Sequence, residues 1–179
     1  MKRILSITAI LALLLIPVFA HAAMTTLAVN GVRQGVIKGD NTTKGQEDTI
    51  VVLALGADMN VPFSASGGGG GATGKLVPGP ITITKNVDRA TPQLFQAMAT
   101  GEILKDVYIR FYRTGTDGAT STYFTIKLRN ALIVEIKTEG NAQVSGGVKE
   151  SVSFIWQTME LTDVGTGATT VIDWTGPIA

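Results

Sequence analysis

The chain has 179 residues, of which 45% are apolar and 16% charged. This balance predicts a packed core and excludes an intrinsically disordered protein. With 15 basic and 14 acidic side chains, the near-zero net charge argues against a nucleic-acid-binding surface or a polybasic membrane patch.

The first 22 residues have the pattern of a secretory signal peptide. Lys2 and Arg3 precede an apolar run, and residues 20–22 form an A-x-A cleavage site. A retained membrane anchor is the alternative, but the run is shorter than the ~20 apolar residues that a spanning helix needs. We predict cleavage between Ala22 and Ala23 and export through Sec to the periplasm or the exterior. Residues 23–179 would then form a single domain without membrane association.

Cleavage would also remove His21, the only histidine of a chain that has no cysteine. This loss excludes Ser–His and cysteine nucleophiles and the usual zinc sites. Glu47 and Asp48 are adjacent, so on a strand they point to opposite faces and form no catalytic dyad. Asp58 lacks the glycine and the distal glutamate of a calcium loop. We therefore predict no enzymatic activity, no cofactor and no metal.

The first third of the mature chain contains two predicted strands, at residues 27–29 and 49–55, followed by a glycine-rich segment. Residues 56–79 include five consecutive glycines and specify no packed structure, because glycine loses the most entropy on ordering. We interpret the segment as a long loop that docks on a neighbouring molecule, and the alternative is a flexible connector. The predicted assembly loop comprises Met59, Val61, Pro62, Phe63, Gly67, Gly68, Gly69, Gly70 and Gly71.

Residues 79–101 predict a strand, a turn and one short helix. Thr91 suits the N-cap, Pro92 the first helical position, and Gly101 the C-terminal stop. Leu94, Phe95 and Met98 are expected to share one helix face.

The rest of the chain alternates in the manner of strands. On residues 106–113 we place Tyr108, Arg110 and Tyr112 together on the face opposite the core, as a candidate subunit-contact strand. Asn130 is expected to break a strand, and residues 149–161 form the longest candidate, whose change of apolar parity indicates a bulge or burial on both faces. These elements predict a mainly β fold: a small antiparallel β-barrel of two packed sheets flanked by one short α-helix.

The segment around the helix also resembles the haemolysin-coregulated proteins (Hcp), the tube-forming subunits of type VI secretion. The matching residues are Thr84, Lys85, Val87, Asp88, Ala90, Thr91, Pro92, Leu94, Phe95, Gly101 and Glu102. The resemblance continues collinearly through residues 123–133 and 150–159. Typical members of that family have no cleavable signal peptide, and in this respect the chain departs from them.

The resemblance implies a structural, self-assembling subunit. Members of the family form six-membered rings that stack into a hollow tube, and the tube can carry effector proteins in its lumen. The extended loop, here residues 59–74, would reach a neighbouring subunit or ring. The alternative is a secreted or periplasmic binding module of the same fold that holds a protein or glycan partner without forming tubes.

Overall fold

The computed structural model describes residues 24–64, 71–72, 74–140 and 147–174. The predicted signal peptide and its cleavage residues Ala22 and Ala23 lie outside these ranges. The strands are β1 (Met24–Gly31), β2 (Gly35–Ile37), β3 (Ile50–Val52), β4 (Ala54–Asn60), β5 (Phe63–Ser64), β6 (Gly71–Ala72), β7 (Val77–Asn86), β8 (Leu104–Thr114), β9 (Thr120–Glu139), β10 (Lys149–Ile155), β11 (Thr158–Asp163) and β12 (Thr169–Asp173), with the helix α1 (Thr91–Ala99) between β7 and β8.

Ten of these strands form one antiparallel sheet, with the order β2-β1-β8-β9-β10-β7-β4. β3 pairs with β1, β11 pairs with β9, and β12 pairs with β11. β5 and β6 form a separate two-stranded ladder. The mainly β prediction with one short helix is confirmed. The sheet order ends at β2 and β4 and is not closed, so the barrel part of the prediction is not confirmed.

The long strand β9 joins the two halves of the sheet. Its first part pairs with β8 and β11, and its last part pairs with β10. Asn130 takes a left-handed φ of 48° without ending the strand, a conformation that asparagine tolerates better than most residues. Its side-chain amide donates to Gln157 Oε1 at 2.7 Å. Gln157 lies where β10 ends and β11 begins, so the long strand predicted at residues 149–161 is interrupted opposite Asn130.

Both ends of the glycine-rich segment are more ordered than its composition predicts. β4 continues to Asn60, and β7 begins at Val77, within the residues interpreted as a loop. Their ladder places Met59 opposite Pro78, beside a register shift, where the missing proline N–H is tolerated. Gly79 is required there, because a Cβ at this position would lie 2.7 Å from Asp58 O. Antiparallel pairing therefore overrides the weak strand propensity of glycine and proline at both ends of this segment.

Helix α1 begins and ends near the predicted residues but differs in its cap and its buried face. Ala90 occupies the N-cap without a side-chain cap hydrogen bond, so the assignment of Thr91 as the cap is wrong. Gly101 has a φ of 57°, as expected of a C-terminal stop. Leu94 is buried, whereas Phe95 is 39% exposed, so the prediction that Phe95 shares the buried face is also wrong.

One cluster of buried apolar side chains connects both halves of the sheet with the helix. It includes Leu27 of β1, Ile83 of β7, Leu94 of α1, Ile109 of β8 and Phe154 of β10. Among the described residues, no helix is long and apolar enough to cross a membrane.

Candidate assembly interface

The predicted contact strand β8 presents two of its three candidate side chains outward. Tyr108 and Arg110 are half-buried, and the Arg110 guanidinium lies 4.0 Å from the centre of the Tyr108 ring. Tyr112 is only 8% exposed. The β8–β9 register shifts between Phe111 and Tyr112, and such a bulge reverses the alternation of side chains. The expectation that Tyr112 shares the outer face with Tyr108 and Arg110 is therefore wrong.

The outer face next to Tyr108 carries charges that compensate one another. Asp106 Oδ1 lies 3.1 Å from Lys127 Nζ and 3.8 Å from Arg129, whose guanidinium also approaches Glu160 at 4.0 Å. These partly exposed pairs contribute little stability. Together with Arg110 they make this face polar, with basic and acidic side chains side by side.

The described part of the segment predicted as an assembly loop consists largely of paired strands, and we call the segment the arm. We define the arm as residues 56–80, that is, most of β4, the start of β7 and the chain between them. Met59 belongs to β4, and Val61 and Pro62 follow it directly. Phe63 and Gly71 lie in the β5–β6 ladder, with Phe63 opposite Ala72. Gly67, Gly68, Gly69 and Gly70 lie outside the described residues.

The arm exposes apolar side chains. Met59, Val61, Leu76 and Val77 are each 37–43% exposed. Neighbouring apolar side chains that stay in water are typical of a contact surface. The structure therefore brings the described part of the predicted loop onto the paired strands β4, β5, β6 and β7, and within the described residues none of these four strands pairs with β8.

Two further exposed surfaces lie at strand edges; the sequence predicts a last edge strand at residues 171–174, near β12, but it does not single out β2. Among the residues that the structure describes, β2 pairs only with β1, and β12 pairs only with β11. Val36 of β2 and Val171 of β12 are 59% and 54% exposed. A free edge offers unpaired backbone N–H and C=O groups to another chain, so each edge combines unpaired backbone with apolar side chains.

The turn between β7 and α1 is held by buried charges. The Lys85 side chain is 0% exposed, and its Nζ lies 2.7 Å from both Glu150 Oε1 and Asp88 Oδ1. Nζ also donates to Asn86 O at 2.8 Å, and the Thr91 hydroxyl donates to Glu150 Oε1 at 2.7 Å. This network joins β7, β10 and the first turn of α1.

Sequence analysis missed this role for Lys85 and Glu150, although a signal for both was present. Lys85 has the parity of the core residues Ile81 and Ile83, and Glu150 that of Val152. Side chains two residues apart on a strand share a face, so the alternation placed one base and one acid inside.

A second buried carboxylate holds the turn between β1 and β2. Glu102 Oε1 accepts hydrogen bonds from the backbone N–H of Arg33 at 2.7 Å and of Gln34 at 2.8 Å, and Oε2 accepts from Gln34 Nε2 at 2.9 Å. Burial raises the pKa of Glu102, but the bonds from Gln34 and Arg33 outweigh it and hold the pKa below its ordinary value. The carboxylate therefore stays ionised and fixes the turn against the end of α1.

Asp48 lies in an ion-pair cluster and not in a catalytic dyad with Glu47. Lys38 Nζ lies 2.8 Å from Asp48 Oδ2, and the Arg89 guanidinium pairs with Oδ1. The hydrogen bond from Lys38, followed by that from Arg89, lowers the pKa of Asp48. Within the described residues, no three His, Cys, Asp or Glu side chains are grouped in a way that could hold a metal ion.

Known proteins match this chain over most of its length. A family model described as "Type VI secretion system effector, Hcp" matches residues 27–162. The "Major exported protein" of Pseudomonas aeruginosa PAO1 is 31% identical over 167 residues, covering 86% of this chain and 96% of that protein.

Solved structures agree with the sequence matches. A crystal structure of an Hcp protein has a TM-score of 0.79 at 26% identity and covers 87% of this chain and 100% of its own. The secreted protein Hcp3 from Pseudomonas aeruginosa has a TM-score of 0.68 at 28% identity, covering 84% and 99%. The chain therefore belongs to the Hcp family of the type VI secretion system.

Proposed function

We propose that the chain is a structural subunit whose copies form six-membered rings and that these rings stack into the hollow tube of a type VI secretion system. The observation that carries the proposal is the match to an Hcp family model and to an exported Pseudomonas aeruginosa protein over nearly its whole length. A structural role requires surfaces for other copies, and the chain offers both strand edges and the arm.

The free edges β2 and β12 support ring formation. The two edges lie at opposite ends of the order β12-β11-β9-β8-β1-β2. Five strand spacings separate them, which is about 24 Å measured along the sheet. Joining the β12 edge of one copy to the β2 edge of the next is a heterologous contact, which closes into a ring when the rotation per copy divides a full turn. Val36 and Val171 would be buried in that contact.

The arm supports stacking of the rings. It exposes Met59, Val61, Leu76 and Val77, of which Met59 and Val77 lie in the β4–β7 ladder. Contacts with a neighbouring copy would remove these side chains from water. This proposal retains the predicted assembly loop and adds the two strand ends that flank it.

We also propose that residues 50–60 complete a barrel. β3 pairs with β1, Leu53 N donates to Thr84 O of β7 at 2.7 Å, and β4 pairs with β7. One continuous segment would thereby link β1 to β7, which are separated by β8, β9 and β10 in the sheet order.

Export is proposed to begin with removal of residues 1–22 through Sec. The A-x-A pattern before Ala23 supports this step. Intact-mass analysis of the exported protein tests it: a mature chain that begins at Ala23 is expected, and a secreted chain that retains Met1 would contradict it. Effector proteins in the lumen complete the proposal, and recovery of bound protein with tubes purified from the producing cell tests that part.

The primary experiment is the native mass of residues 23–179 together with negative-stain imaging of the same sample. Six-fold rings or tubes are the expected result. A monodisperse monomer across a wide concentration range would overturn the proposal and favour the binding module of the same fold.

Deletion of residues 66–72 tests the arm separately from the ring. We expect a soluble variant with the native mass of a ring that no longer forms tubes, because the arm tip is shortened while the β4–β7 ladder remains. An insoluble or unfolded product would count against the assignment of these residues to an assembly arm.

A further inference from the structure

A pocket of about 290 Å³ lies at the C-terminal end of β7. It is lined by Asp40, Asn41, Val51, Asn86, Val87 and Asp88. The volume is small for a cofactor or drug-sized ligand and suits one or two side chains. Its walls combine two valines with two carboxylates and two amides, so it favours an aliphatic side chain next to a cation.

The charges around the pocket leave an excess of acid. Behind it, the buried Lys85 faces two carboxylates, Asp88 and Glu150, so one negative charge is not matched within that group. At the rim, Arg89 pairs with Asp40 and Asp48, and Lys38 pairs with Asp48. The charges at the rim are therefore balanced. The excess negative charge comes from the group formed by Lys85, Asp88 and Glu150.

The opposite end of β7 carries a segment with the complementary chemistry. Leu76 and Val77 are 39% and 43% exposed. Lys75 precedes them and has no carboxylate within salt-bridge distance in the part of the chain that the structure describes. Across the sequence of residues 60–76, Lys75 is the sole charged residue. The segment is thus a cation followed by two aliphatic side chains.

The positions of the pocket and this segment suit a repeating contact. β7 runs from Val77 to Asn86, and nine steps of ~3.3 Å separate the two ends by about 30 Å. A donor at one end of a strand and an acceptor at the other cannot meet within one copy. Between copies, such a contact is heterologous, and it repeats along an open axis when the rotation per copy does not close it into a ring.

We infer that the pocket of one subunit receives Lys75 and Leu76 from the arm of a second copy in the adjacent ring. Leu76 packs between Val51 and Val87, and Lys75 approaches Asp88 and Asp40. The inference rests on the proposed tube function and identifies the acceptor for the arm. It also gives the stack a direction, since the arm is at one end of every subunit and the pocket at the other.

Disulfide cross-linking of Leu76→Cys with Val87→Cys tests this contact in residues 23–179. The chain has no native cysteine, and both positions are exposed, so the fold should tolerate the changes. On oxidation of preformed tubes, we expect a non-reducing ladder that extends beyond six subunits. Each single variant should give no more than dimers. The pair Leu76→Cys with Val134→Cys, which places the second thiol on β9, is the matched control.

The outcomes separate this inference from the proposed function. Rings and tubes that form normally but give no ladder with the Leu76–Val87 cysteine pair would overturn the inference alone. Cross-linked species that stop at six subunits would place the contact within a ring and would also overturn it. Absence of rings in the unmodified protein would overturn the proposed function and the inference with it.

A charge reversal supplies a second measurement. Lys75→Glu should raise the concentration needed for tube formation by about fivefold or more, because it replaces an attraction at the acidic pocket by repulsion. The native mass of the ring should not change. Lys105→Glu, an equivalent change at an exposed position of β8, should leave tube formation as it is. An equal effect of both variants would contradict a specific role for Lys75.

Discussion

The environment of Lys85 depends on residues that are distant from it in the chain. Its ammonium group is removed from water and contacts carboxylates from β10 and from the turn before α1. A buried charge is tolerated only when such partners are present. The network therefore makes the position of the C-terminal end of β7 dependent on the correct position of β10 and of helix α1.

Lys85→Met should lower the free energy of unfolding by about 3–5 kcal/mol, because it leaves Glu150 and Asp88 without their buried cation. Urea unfolding at a fixed protein concentration measures the change. Lys105→Met, at an exposed site, should change the free energy by less than about 0.5 kcal/mol. Similar losses in both variants would show that the buried network does not stabilise the fold.

The lowered pKa of Glu102 leads us to expect that the free energy of unfolding falls in acid. Its folded-state pKa lies below the ordinary value of 4.5, so the unfolded state binds the proton first as the pH falls. The stabilisation is complete above about pH 4.5 and disappears as the pH drops through the folded-state pKa. Glu102→Gln should make the unfolding free energy less dependent on pH below 4.5.

Denaturant unfolding measured from pH 3 to pH 7 tests this difference. Glu139→Gln, the same chemical change at the exposed end of β9, is the control and should keep the pH dependence of the parent chain. An unchanged acid slope in Glu102→Gln would contradict the role assigned to this carboxylate. Asp48 and Asp163, whose pKa values are also lowered, should preserve part of the slope in every variant.

At the scale of the element, two adjacent residues of helix α1 differ in burial. Leu94 is fully buried, whereas Phe95 is 39% exposed. Leu94→Ala should cost about 2–5 kcal/mol of unfolding free energy, because it removes packed methyl groups and leaves a cavity. Phe95→Ala should cost less than about 1.5 kcal/mol, since much of its ring already contacts water.

Thermal or urea unfolding of the two helix variants measures this contrast. Both changes introduce alanine into the same helix and slightly favour helix formation, so the difference between them reports packing. A greater loss in Phe95→Ala than in Leu94→Ala would contradict the helix orientation and would indicate that Phe95 is buried in the assembled protein.

At the scale of the whole molecule, the free edge of β12 should decide whether rings form. Val171 lies on this edge and is 54% exposed. Val171→Lys would place a charge in the proposed contact, a device by which natural proteins prevent edge pairing. We expect a folded monomer or a strong shift toward monomer in native mass measurements, with an unchanged circular dichroism spectrum.

Val134→Lys is the matched control for the ring. Val134 is 48% exposed on β9, in the interior of the sheet order. This variant should retain the native mass of the parent chain. Rings that persist in Val171→Lys at all concentrations would exclude the β12 edge from the ring contact.

The sequence by itself determined the mainly β fold, the single helix in the described chain and its stop at Gly101. These features follow from short-range rules: period-two alternation, a proline at the first turn and a glycine with positive φ. The Hcp resemblance also depended on local order, since its residues follow one another around α1. The family assignment could therefore be predicted before any contact was known.

Only the tertiary structure decided how the elements pair. Strand pairing kept β4 and β7 extended through a glycine-rich segment, and a bulge turned Tyr112 inward. Burial beside Glu150 changed Lys85 from a charged strand residue into the centre of a network. Each outcome depends on residues distant in the chain, because register and burial are set by neighbouring strands and not by local propensity.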